Sequence, residues 1–428
     1  MLEPRRCVVV GAGFSGLSLA YWATKYGAKV TVYESQNRVG GLLDSMRLPG
    51  GHLVESAANG FLWSADFAEL ERDLGLRFIS TKPESRKRYI FRRGRFRRWP
   101  LSVLETLGLL WHLCRGWRRR RPFAGETISA WGERMLGPAG RVLLLETALQ
   151  GIYAGDPSRM SATLILGRFF QKRKRSVHKL TESEARDKRS GSHTHADGMG
   201  ALTRDLRAYL ESSGLCTFRM ETQFSADDLS EARRRKSLVF LAVPALAAAE
   251  ILSQGHPELA QGLLSVEMRP IATSTSIWSL DDGERGMPRG FGALFPRGED
   301  IEALGVLRNH HIYNRRSDRV SETWIYGADS LRSRGIWGNR EALRTHVLEE
   351  RRRIGAKGLA PEAFECYFWE RGIPHYTVAL EEFLARADLD GIGRREGVVV
   401  FGNYTGHLGL SRIFAEARRL VRERLSDG

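Results

Sequence analysis

The sequence predicts an α/β chain whose nucleotide-binding core is assembled from discontinuous segments, with α+β insertions between them. Three observations lead there. The chain opens on an apolar strand, a glycine loop and a second strand; a strand, proline break and alanine-rich helix recur at 237–252; and it closes on a strand, a glycine-rich loop and an amphipathic helix. At 428 residues it can bury more than one core.

The opening stretch "RRCVVVGAGFSGLSLAYWATKYGAKVTVYES" places a strand at Cys7–Val10, then Gly11-x-Gly13-x-x-Gly16, a helix to about Tyr26 and a strand at Lys29–Tyr33. Glu34 follows, 23 residues after Gly11. This is a Rossmann-like βαβ unit. Gly11 permits the tight turn, Gly13 lets a pyrophosphate approach the backbone, and Gly16 lets helix and strand pack closely. Ala12, Phe14 and Ser15 complete the loop, and the helix N-terminus offers free N–H groups to phosphate oxygens. Glu34, with Ser35 beside it, suits ribose hydroxyls and an adenosine lacking a 2′-phosphate.

"SLVFLAVPALAAAEIL" (Ser237–Leu252) reads as a buried strand, a proline break and a helix. The C-terminal stretch reads as a strand at Val398–Phe401 and a helix whose stripe is Leu410, Ile413, Phe414, Ala417, Leu420, Val421 and Leu425, with arginines opposite. Residues 171–197 are polar and read as an exposed connection, and the pair His193-x-His195 within it as surface loop, with no third ligand to make a metal site. The four cysteines are scattered and read as reduced thiols.

The net charge of +16 is concentrated. Arg86–Arg121 holds thirteen Lys/Arg against one acid, and Lys172–Arg189 eight against three. Such a field calls for an anionic partner surface. Within "RRWPLSVLETLGLLWHLCRGWRRRR" (Arg97–Arg121) three readings compete: a nucleic-acid patch, a solvated helix end and a membrane-surface element. Base-stacking aromatics or a known nucleic-acid module are not seen, which argues against a nucleic-acid partner. A solvated end has no need of so many leucines and tryptophans. The membrane reading uses every part: an apolar face for the headgroup boundary and arginines for anionic lipid. No spanning segment and no signal-peptide layout is visible, so the expected location is cytoplasmic, peripherally associated with the inner face of the cell membrane.

Arg38-x-Gly40-Gly41 directly after Glu34 resembles the flavin-dependent amine oxidase superfamily, whose loop lies along the diphosphate; this implies FAD. Further stretches sharpen the likeness: "HLVESAANGFL" (His52–Leu62), "KRYIFRRGRFRRWPLS", "ETALQGIYAGDPSRMSA" (Glu146–Ala162), "GMGAL" (Gly198–Leu202), "GFGALFPRGEDIEALGVL" (Gly290–Leu307), "WERGIPHY" (Trp369–Tyr376) and "GNYTGHLGL" (Gly402–Leu410). In this order they resemble the oxygen-dependent protoporphyrinogen/coproporphyrinogen oxidase family. Ala57-Ala58, His407 and Arg412 depart from its pattern.

The resemblance implies an FAD-binding domain over 1–82, 198–255 and 390–428, a helical basic membrane-associated lobe over 83–197 and a mixed-sheet substrate-binding domain over 256–389. It implies oxidation of a porphyrinogen to a porphyrin in heme biosynthesis by hydride transfer to flavin, with O2 as acceptor, or a quinone. Leu42, Ala57, Ala58, Asn59, Gly60, Phe224, Leu408, Gly409 and Leu410 would join the cofactor contacts. Arg88 would pair a substrate carboxylate; Phe291, Leu294 and Ile325 would flank the macrocycle. Gly151 would face its centre through a backbone carbonyl, as the only catalytic group named. For Arg88 the competing reading is a surface arginine, for the apolar residues core packing, and for Gly151 a turn. An amine oxidase, carotenoid-type desaturase or sugar mutase on the same fold is the alternative, and a homodimer is left open.

Overall fold

The computed structural model describes residues 5–170, 189–314, 318–358, 360–387, 389 and 395–426. Its nucleotide-type sheet has five strands in the order Cys216–Arg219, Lys29–Tyr33, Arg6–Val10, Leu238–Leu241, Val398–Val400, all parallel. Beginning, middle and end of the chain thus meet side by side, Val8 against Val239 and Val239 against Val398. Helices cover both faces, so the strands are apolar runs without alternation. On one face Phe14–Lys25 and Leu410–Ser426 pack around Trp22, Phe67 and Phe414. On the other lie Ala226–Arg234 and Ala245–Leu252. The last helix buries most of the expected stripe, with Leu410 and Leu425 only partly covered, but it also buries Arg424, whose carbonyl accepts from Arg5; its arginines are not all opposite.

A second, mixed sheet of seven strands has the order Ala363–Pro374, Met268–Trp278, Val320–Gly327, Gly305–Leu307, Gly292–Leu294, Arg88–Arg92, Arg95–Arg97. The stretch expected to be a helical lobe therefore begins as two strands of this sheet. Arg88 pairs Gly292 in parallel while the hairpin Arg92–Arg95 turns at Arg93, at φ 51°, and Gly94.

The exposed connection expected over 171–197 needs correction at its end; 171–188 lie outside the described residues. Ser192–Thr194 is a strand between Phe61–Leu62 and Ile79–Ser80. His193 and His195 are buried, at 1% and 6% exposure. His195 accepts from the Asp197 N–H and faces Asp205 at 3.1 Å; the His193 ring lies 4.5 Å from the Trp63 ring. They belong to packing because the strand partners of residues 192–194 come from far earlier in the chain. Among the described residues no cluster of three metal-ligating side chains occurs.

The basic stretch folds as the helix Val103–Gly116, started by a capping box of Ser102 and Glu105. Arg92 grips the Glu105 carboxylate with both guanidinium nitrogens, at 2.7 and 2.8 Å, and holds its pKa at about 2, helped by the Ser102 N–H. Leu109 packs beside Gly140, whereas Val103, Leu104, Leu107, Leu110 and Trp111 are all more than half exposed. Arg115 and Arg120 stack on Trp111 and Trp117 at 5.3 and 4.5 Å. Among the described residues no helix is long and apolar enough to cross a membrane.

Candidate functional site

Where the first two parallel strands end, the chain leaves a cleft of about 710 Å³ lined by Gly11, Gly13, Glu34, Ser35, Arg38, Gly41, Leu42 and Phe224. Its floor is backbone. A Cβ on Gly16 would sit 1.8 Å from the Gly11 carbonyl oxygen, so only glycine allows this helix to start so close to its strand. Gly13 meets only the Cα of Gly41, 3.8 Å from where its Cβ would be. The second loop is laced to the first by the Gly40 N–H donating to Ala12 at 2.8 Å. No side chain caps the helix Phe14–Lys25, leaving its first N–H groups to an anion.

Two polar groups complete the cradle. Glu34 accepts from the Ala12 and Gln36 N–H groups at 2.7 and 2.9 Å, which fixes its carboxylate at the rim with lone pairs left over. Arg38 donates through Nη2 to the Gly41 carbonyl at 2.8 Å, while its Nη1 is buried without a protein partner. A bare backbone cradle, an uncapped helix start and a buried unpaired guanidinium nitrogen fit a diphosphate. Phe14 and Gly16 are buried in the packing beneath. Thr222, Gln223, Val243, Pro244 and Trp369 also line the cleft; sequence reasoning missed them because no glycine or charge pattern marks them.

Past the cleft, Glu55 and Ser56 lock the loop Ala57–Gly60 in place. Glu55 accepts from the Met199 N–H at 3.1 Å and the Ser45 hydroxyl at 2.5 Å. The Ser56 carbonyl accepts from Trp369 Nε1 at 2.9 Å and Thr273 Oγ1 at 3.3 Å. Ser56 thereby ties the loop to two neighbouring strands of the seven-stranded sheet. Ala57–Gly60 are half-buried and lie next to this junction rather than in the cleft. Leu408 packs with the helical segment around Tyr153 and Tyr376, and Leu410 with the nucleotide core.

Sheet register gathers the remaining candidates. Ile90, Leu294, Gly305, Ile325 and Thr273 are successive partners across one row, and Arg88, Gly292, Leu307, Thr323 and Thr275 across the next. Phe291 stands one residue before Gly292, with the Arg88 guanidinium 4.6 Å from its ring centre. Arg88 itself is exposed. Gly151 approaches from the helix Thr147–Tyr153: a Cβ there would lie 2.6 Å from Leu294 Cδ2. Its carbonyl belongs to the last turn, where intrahelical donors run out. The row runs on through Thr273, which holds Ser56, to Tyr367, so Gly151, Leu294 and Ile325 are tied to the Ala57–Gly60 loop.

Two of the departing residues, His407 and Arg412, lie in the C-terminal loop and helix start. The His407 ring is mostly buried, 3.7 Å from Glu416, and burial lowers its pKa. Arg412 donates to the Gly406 carbonyl at 3.3 Å; burial, then nearby Arg168, lowers its pKa too.

A family model described as an NAD(P)-binding Rossmann-like domain matches residues 9–74. The chloroplastic protoporphyrinogen oxidase of Oryza sativa subsp. japonica is 24% identical over 461 residues, spanning 95% of this chain and 85% of that one. The chain is a homologue of the protoporphyrinogen oxidases. That kinship bears out the recognition drawn from the motifs, and with it the reading as an oxidoreductase. Two solved structures share the fold: one from Exiguobacterium sp. 255-15, with a TM-score of 0.75 at 18% identity over all of both chains, and reduced UDP-galactopyranose mutase, with 0.72 at 15% over 100% of this chain and 96% of that one.

Proposed function

We propose that this protein is an FAD-dependent oxidase of protoporphyrinogen IX or coproporphyrinogen III, working at the face of an anionic membrane. The observation that carries the reading is the meeting of Gly151, Leu294, Ile325 and the Arg88–Phe291 pair beside the Ser56 junction. An apolar row with a cation at one edge suits an apolar macrocycle bearing carboxylates on its rim. Arg88, stacked on Phe291, pairs a carboxylate, and its planar fork permits two hydrogen bonds. Leu294 and Ile325 cover the ring, and the Gly151 carbonyl accepts from a pyrrole N–H. FAD, when bound, supplies the acceptor for the hydride leaving the macrocycle, with O2 or a quinone taking the electrons onward.

The exposed face Val103–Trp111 and its arginines meet the bilayer. Ile152, next to Gly151, and Phe169 are also more than half exposed, which would let the substrate reach its pocket from the membrane side.

The test is aerobic incubation of purified protein with each porphyrinogen, following porphyrin fluorescence against heat-inactivated enzyme. A flavin-dependent rise supports the proposal, and the faster substrate names the preference. Bound FAD with no rise on either substrate, with O2 or with a quinone, sinks it. Binding to anionic vesicles should be salt-sensitive and lost when Arg118–Arg121 become glutamates; equal binding by both forms removes the membrane part.

A further inference from the structure

We propose that His375 is a positioning residue, holding Gly151 in place through the turn that follows its helix; the inference rests on the reading of Gly151 given above. That helix ends at Ala154 in the left-handed region, at φ 48°, and the chain then runs through Gly155 into Asp156. His375 is fully buried, and its ring lies where a Cβ on Gly155 would fall, 2.8 Å from Cδ2. The Asp156 N–H donates to His375 Nε2 at 3.1 Å. The other ring nitrogen, Nδ1, lies 3.2 Å from Glu267 Oε2.

These two contacts dictate the tautomer. A nitrogen that accepts from a backbone N–H carries no proton, so the proton is on Nδ1 and is donated to Glu267. Arg159 holds that carboxylate from its other side. The rest of the turn is fastened by other means: Asp156 accepts from the Ser158 N–H and hydroxyl at 3.0 and 2.8 Å, Arg269 reaches the Ala154 carbonyl at 3.3 Å and Arg297 the Gly155 carbonyl at 3.4 Å. Among the described residues only His375 ties an N–H of the turn to the end of the strand Ala363–Pro374, whose register reaches Thr273 and, through it, Ser56. A proton added at Nε2 would face the Asp156 N–H donor to donor and break the tie.

The charged groups around the ring are Glu267, Asp156 and Arg159, with Arg269 and Arg297 at the neighbouring carbonyls. His375→Gln offers an amide oxygen to Asp156 and an amide N–H to Glu267; His375→Ala offers neither.

Three readouts on the flavin-loaded enzyme decide it. In ring-15N spectra, the signals that vanish in His375→Gln should report an Nδ1–H tautomer. His375→Gln should keep kcat within about threefold, whereas His375→Ala should lose roughly tenfold or more in kcat with KM little changed. Limited proteolysis should cut the 154–158 turn faster in His375→Ala than in the other two. An Nε2–H tautomer, or His375→Ala matching wild type in rate and cleavage, overturns the proposal. If wild type turns over no porphyrinogen the reaction reading fails, and tautomer and cleavage still decide the role of His375.

Discussion

The diphosphate cradle and the Gly151 corner are built by opposite means. The cradle uses backbone from residues close in sequence: Gly11, Gly16, Gly40 and Gly41 fit because a Cβ there would press on main chain, while Gly13 keeps its place open. The corner uses side chains of residues 88, 291, 294 and 325 gathered by the second sheet, with Gly151 brought against them by a helix. One tolerates no substitution; the other is bounded by movable atoms. Gly151 is packed against a leucine methyl, where Gly16 is packed against a carbonyl.

The largest expected effect breaks the cradle. Gly16→Ala should abolish flavin retention, read as loss of visible absorbance in the purified protein, since the new methyl has no room beside Gly11. Full retention would mean that the loop has slack its packing denies. Next, Gly151→Ala should leave flavin content intact and lower turnover about tenfold, because Leu294 has to swing away into the substrate space. Coupled loss of flavin would show that corner and cradle are not separable.

Two smaller effects concern the supporting frame. Burial raises the pKa of Glu350 to about 7, although it accepts from the Glu302 and Ala303 N–H groups and from Tyr326. Its folded value stands above its unfolded one, so its protonated form stabilises fully below the unfolded value, and that contribution is lost as pH rises towards 7. Glu350→Gln should flatten the fall in Tm between pH 5 and about 8; an unchanged slope would place the titration elsewhere. Smallest is Glu105→Gln. The folded pKa of Glu105 is depressed, so its contribution is present above the unfolded value and lost as pH falls towards about 2. At pH 7 the variant should melt only a few degrees lower, because this fork is partly solvated. The corner's chemistry should not change.

Local geometry was readable from residues alone. The first βαβ unit, the strand and helix at 237–252 and the C-terminal pair are short-range patterns of apolar period and glycine, and all stand as expected. Likewise Glu34 and Arg38 lie on the cleft, since loop length sets their distance from Gly11. What failed was long-range. His193 and His195 looked like a polar connector, but pairing with Phe61–Leu62 and Ile79–Ser80 buried them. Residues 88–97 looked like the start of a helical lobe, yet the edge of the second sheet claimed them. Trp369, Thr273 and His375 carry no motif that marks a site; they matter only because folding brings Ser56 and Asp156, 217 to 313 residues away, to them. The sequence alone determined the nucleotide loop, because its constraints are steric and lie within a few residues. The tertiary structure decided which distant side chains share a row, because register depends on the packing of whole sheets.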